Sequence, residues 1–100
     1  MTTTNLPTLR SLLDHMYSCG WSAEFLEEGS RTRVHCLDAN AAFVNISAVE
    51  MEYVWWQHDD ETAAPWSLIL PYEGRDCLAD HTTGNERFNT DVTVWEDTKR

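Results

Sequence analysis

The stretch Val49-Glu50-Met51-Glu52-Tyr53-Val54-Trp55-Trp56 alternates acids with apolar residues and is rich in β-branched and aromatic side chains, which predicts a β-strand. Its two-residue period turns Glu50 and Glu52 toward water and Met51 and Tyr53 toward a core. The same period forces Trp55 and Trp56 onto opposite faces of whatever sheet the strand joins. One of the two indoles therefore lies on a face that an ordinary half-buried strand leaves open.

Working outward, the chain upstream begins with Leu6, Leu9, Leu12, Leu13 and Met16 at helical spacing. Pro7 sits in the first turn, Thr4 or Asn5 can cap the start and Gly20 suits the end, which predicts a helix over 6–19. Trp21, Ala23 and Phe25 alternate with polar residues, Glu28-Gly29-Ser30 offers a turn, and Arg31–Leu37 alternates again, so this region reads as a β-hairpin. Asp38-Ala39-Asn40 reads as a second turn and Phe43–Ile46 as a further strand.

Downstream, His58-Asp59-Asp60-Glu61-Thr62 is a polar loop, and Pro65 introduces Trp66-Ser67-Leu68-Ile69-Leu70, a short apolar strand closed by Pro71 and Glu73-Gly74. Phe88, Val92 and Trp95 have helical spacing and favour a C-terminal helix, although Thr90, Thr93 and Val94 are β-branched. Strands that run consecutively rather than alternating with helices indicate an α+β domain. The expected architecture is an antiparallel β-sheet of four to six strands, with an N-terminal and a C-terminal helix packed on one face. No linker or repeat divides residues 1–100, so a single domain is expected.

Seventeen acidic against seven basic residues give a net charge of −10, and the larger share of it falls after residue 50. An anionic surface with one Lys and six scattered Arg disfavours direct nucleic-acid binding. No apolar run reaches the length of a membrane span, and the N-terminal residues lack a signal-peptide pattern, so a cytoplasmic protein without membrane contact is expected. Three widely spaced cysteines, Cys19, Cys36 and Cys77, fit free thiols in a reducing compartment.

Chemistry has few footholds. Cys77, Asp80 and His81 form the densest polar cluster and would make a nucleophile, an orienting carboxylate and a base. Adding His58, they define the alternative reading of a Cys/His-dependent or metal-assisted hydrolase. Paired ligands at zinc spacing do not occur, and His58–Glu61 lacks the glycine and the periodic acids of a calcium loop, so no metal or cofactor is expected. Isolated glycines provide no phosphate-cradling loop.

The five tryptophans are more informative. In one reading Trp56 or Trp66 is an exposed aromatic platform for a partner, and in the other the indoles fill a small core. Glu50, Glu52, Asp59, Asp60 and Glu61 lie along and just beyond the aromatic strand, where they would form a negative stripe complementary to a basic surface.

Leu70-Pro71-Tyr72-Glu73-Gly74-Arg75-Asp76-Cys77-Leu78-Ala79-Asp80-His81-Thr82-Thr83, with the Trp66 strand before it, resembles a segment of small phage and prophage accessory proteins. There a short apolar strand runs into a Gly-x-Asp turn. The resemblance implies a phage setting in a bacterial host and an accessory role, and it carries no catalytic residues. Similar segments place an aliphatic residue at the position of Cys77, which argues against a nucleophile there.

Together these features lead to a small acidic, non-enzymatic protein that modulates a host protein, such as a nucleic-acid-binding defence or transcription component, by covering its basic surface. Its expected contact residues are Glu50, Glu52, Trp56, Asp59, Asp60, Glu61 and Trp66. A toxin-neutralising immunity protein or a phage assembly module, including a homodimer paired through the aromatic strand, shares the same physics.

Overall fold

The computed structural model describes residues 7–26 and 32–98. Helix α1 (Pro7–Ser18) buries Leu9, Leu12, Leu13 and Met16 along one stripe. It ends where the sequence predicts. The Trp21 N–H reaches the Met16 carbonyl at 3.0 Å and the Gly20 N–H the Tyr17 carbonyl at 3.1 Å, the two bonds of a Schellman cap. That cap needs a left-handed residue, and Gly20 supplies it at φ +95°.

Strand β1 (Ser22–Leu26) pairs antiparallel with β2 (Arg33–His35). The turn expected at Glu28–Ser30 lies outside the described residues. The expected turn at 38–40 and strand at Phe43–Ile46 are instead one helix, α2 (Ala39–Ile46). Asp38 adopts an extended conformation and its carboxylate accepts the Ala41 N–H at 2.8 Å, which makes it an N-cap and not a turn residue. Ala42 and Ile46, four apart, then fall on one face and pack with α1, and this burial outweighs the β-branched Val44 and Ile46.

Strand β3 (Glu52–Gln57) follows, then β4 (Trp66–Ile69), a single 3₁₀ turn (Gly74–Asp76), β5 (Leu78–His81) and the C-terminal helix α3 (Glu86–Thr98). Among the described residues the sheet has five strands in the order β2-β1-β3-β4-β5, with every neighbouring pair antiparallel. The α+β class, the antiparallel sheet and both terminal helices are as the sequence predicts. β3 is central and hydrogen-bonded on both sides, so it does not provide the free edge that strand-to-strand homodimerisation through it requires; the edges are β2 and β5.

Helices α1, α2 and α3 contribute to one core on one face of the sheet, where α1 contacts both α2 and α3. Three of the five tryptophans are in that core, and each buried indole N–H has a partner on another element. Trp21 donates to the Asp91 carboxylate of α3 at 2.8 Å, Trp56 to the Ser67 hydroxyl of β4 at 2.8 Å, and Trp95 to the Ser11 hydroxyl of α1 at 3.1 Å. Among the described residues no buried side-chain polar atom lacks a partner. Tyr17 fastens α1 to the sheet: its hydroxyl donates to the Cys36 carbonyl at 2.6 Å and accepts the Ala23 N–H at 2.9 Å. Among the described residues, no helix is long and apolar enough to cross a membrane.

Candidate functional site

The phase of β3 decides which residues the sheet presents. Val54 opposes Ser67, Trp56 opposes Ala23, and all four are buried beneath the helices. Tyr53 and Trp55 therefore point to the other face, so Met51 and Tyr53 are exposed where the sequence predicts an inward turn and Glu52 does not turn outward with them, while Glu50, ahead of the strand, is exposed as expected. Glu52 lies instead on the helix-covered side, opposite Ile69 at the end of the sheet. Trp56 is 1% exposed, so it is core and not a platform. Val54 and Trp56 are the pair that lies in the core beneath the helices.

Register fixes what the outer face contains. Trp55 opposes Trp66 directly, Tyr53 opposes Leu68, Glu24 opposes both Trp55 and His35, and Leu26 opposes Arg33. Among the described residues no helix lies on this side. Tyr53 is 48% and Leu26 41% exposed, while Trp55, Trp66 and Leu68 are half-buried. The rings of Tyr53 and Trp66 are tilted with centroids 6.0 Å apart.

A polar border holds this apolar centre in shape. The Arg33 guanidinium lies 4.4 Å above the Trp55 ring and donates to the Glu24 carboxylate at 2.9 Å. Gln57 donates to the same carboxylate at 3.3 Å, and the Ser22 hydroxyl and His35 Nε2 are 2.6 Å apart. Asp80 opposes Leu68 from β5 at the far side. The result is a preorganised aromatic surface with a polar rim, the composition of an interface hot spot.

Of the residues expected to bind a partner, Trp66 alone is part of this surface. The acids do not form one stripe. Glu50 and Glu52 flank the start of β3, beside an open hollow of about 550 Å³ that Leu26, Val49 and Met51 also line. Asp59, Asp60 and Glu61 follow its other end, roughly 17 Å away along the strand. Asp60 and Glu61 are turned toward α3, where Arg87 meets them at 3.8 and 3.3 Å and Asn85 donates to Glu61 at 2.8 Å. Tyr53, Trp55, Arg33 and Glu24 are the site residues that sequence reasoning missed. Alternation does pair Tyr53 with Trp55, but it leaves open which face is covered.

The Cys77–Asp80–His81 cluster is not assembled. Cys77 is fully buried where the 3₁₀ turn enters β5. The bulge in the β4–β5 pairing turns Leu78 and His81 to the same side, opposite Ile69 and Ser67, and His81 packs edge-on against Phe88. Asp80 faces the other way and accepts the His81 N–H at 2.9 Å.

Folding brings a different set together. His15 Nε2 lies 2.8 Å from the Asp91 carbonyl and 3.7 Å from Cys19 Sγ. A carbonyl only accepts, so Nε2 carries the proton and faces the thiol as a donor, the wrong state for a base. Burial and the nearby Asp91 carboxylate push the Cys19 thiol up from its ordinary value, and burial followed by Asp38 does the same to Cys36. Neither thiol is activated. His58 is similarly committed: its Nδ1 accepts the Asp60 N–H at 3.0 Å, its Nε2–H donates to the Cys19 carbonyl at 3.1 Å, and its ring packs edge-on against Trp21. Among the described residues no three His, Cys, Asp or Glu side chains converge as metal ligands do.

No protein-family model, curated protein or solved structure matches the chain.

Proposed function

We propose that this chain is a non-enzymatic binding protein that docks a protein partner on its open sheet face. The observation that carries the reading is the cluster of Tyr53, Trp55, Trp66 and Leu68 on the face opposite the helices. Burying such a surface against a partner removes apolar area from water at about 25 cal/mol per Å². Rigid aromatic side chains lose little conformational freedom when they do so. The net charge of −10 selects a partner whose surface is basic and speeds encounter with it. In the phage setting that the sequence resemblance implies, that partner is a host protein whose nucleic-acid-binding surface is blocked.

Capture from a lysate of the organism that carries the gene tests this, comparing the wild type with a Trp55→Ala/Trp66→Ala variant shown to be folded by circular dichroism. A partner retained by the wild type, lost from the variant and released as salt rises supports the reading. Equal retention by both proteins overturns it.

A further inference from the structure

The outer face already holds one cation on an aromatic ring, and its geometry describes the chemistry it accepts. Arg33 lies over Trp55 at 4.4 Å, and its guanidinium is held there by Glu24 at 2.9 Å. The arrangement is an indole beneath a planar cation with a carboxylate at its edge. Guanidinium suits it better than ammonium, because it stacks on an aromatic ring while its N–H fork reaches a carboxylate in the same plane.

Two of these components, the aromatic surface and the carboxylate, recur one strand pair away. Trp66 and Tyr53 supply the aromatic surface with centroids 6.0 Å apart, and Asp80 supplies the carboxylate from β5. Asp80 opposes Leu68, two residues along β4 from Trp66, so their β-carbons lie on a diagonal of about 7–8 Å that one guanidinium can bridge. The Asp80 carboxylate accepts only a neighbouring backbone N–H among the contacts described, which leaves lone pairs for a second donor.

We propose that the partner presents an arginine side chain to the Tyr53–Trp66 pair beside Asp80, repeating between chains the contact that Arg33 makes on Trp55. This inference rests on the docking reading and makes it more specific: the partner's basic surface is read through arginine and not by charge alone. Arg33 occupies the neighbouring ring and keeps a second guanidinium from it.

The probe is a capped Arg-Gly-Arg peptide, compared with its lysine and citrulline counterparts at fixed, near-physiological salt. Binding is followed through the Trp55 and Trp66 indole N–H resonances of the ¹⁵N-labelled chain. The expected result is that the arginine peptide shifts the Trp66 resonance with an affinity at least tenfold above that of the lysine peptide, and that citrulline gives no saturable shift. Followed at the Trp55 resonance, Trp66→Ala abolishes the response and Asp80→Asn weakens it several-fold. Equal affinity for arginine and lysine overturns the inference, as do backbone amide shifts confined to the acidic 58–61 turn. Those outcomes leave the docking reading standing, because that reading is tested separately by whether removing Trp55 and Trp66 affects partner capture.

Discussion

Trp56 and Trp66 differ by a single choice of face, and truncating each to alanine separates core from surface. Trp56 is 1% exposed, packs near Phe88 and donates its indole N–H to Ser67, itself buried. A buried indole removes about 200 Å² of largely apolar surface from water, worth about 5 kcal/mol at ~25 cal/mol per Å². Removing it also leaves the Ser67 hydroxyl without that partner in a sealed site, a further cost of about 1–3 kcal/mol, while partial collapse of the cavity offsets some of the total. The expected loss for Trp56→Ala is about 4–5 kcal/mol, a large share of the ~5–15 kcal/mol that holds a domain folded. Trp66 is half-buried on the open face, and its truncation is expected to cost no more than about 2 kcal/mol. Urea unfolding followed by far-ultraviolet circular dichroism measures both. A midpoint shift at unchanged m-value is expected for Trp66→Ala, and a marginally folded or unfolded protein for Trp56→Ala. Comparable losses for the two variants, or a loss below ~1 kcal/mol for Trp56→Ala, would refute the assigned phase of β3 and with it the position of the site.

Two further outcomes test how α1 is fastened to the sheet. Burial pushes the Tyr17 phenol up to about 12, against the weaker opposing effect of the Ala23 N–H. The folded state thus favours the protonated phenol, so its stabilisation is complete below about pH 10 and is lost as pH rises through about 12. The effect is at most ~2.7 kcal/mol, and solvent screening of the part-exposed ring reduces it to about 1–2 kcal/mol. Stability measured across that range should fall in the wild type and stay flatter in Tyr17→Phe, whose own baseline is lower by about 1–3 kcal/mol because the Ala23 N–H loses its acceptor. Gly20→Ala should cost more than ~1 kcal/mol, since its φ of +95° is unfavourable for alanine and the new β-carbon would lie 2.8 Å from the His58 ring. A neutral effect in thermal unfolding would contradict the cap geometry.

The two outer helices were legible because their burial is periodic: Leu9, Leu12, Leu13 and Met16 in α1, and Phe88, Val92 and Trp95 in α3, each mark a stripe that only a helix aligns. α2 was not, because aspartate begins turns and caps helices with the same hydrogen bond, and Phe43–Ile46 is too short for periodicity to distinguish four strand residues from one helical turn. The site was half legible. Alternation separates Trp55 from Trp56, but which of them faces the helices depends on where those helices pack, a tertiary fact that β3 does not encode alone. Val54 carried a hint, since a β-branched aliphatic in phase with Trp56 suits a sealed core better than Tyr53, whose hydroxyl favours a wet border. Proximity in sequence suggests a single acidic stripe, whereas the length of β3 sets its two halves at opposite ends of the strand.

The open sheet face is tested most directly by photo-crosslinking from two equally exposed positions. Tyr53 on the outer face and Val94 on α3 are each 48% exposed, so a benzophenone amino acid placed at either one samples solvent equally. In a lysate of the organism that carries the gene, position 53 is expected to give a discrete covalent adduct that Trp66→Ala removes, with position 94 giving none. An adduct from position 94 alone, or one from position 53 that persists in Trp66→Ala, would contradict docking on the sheet face.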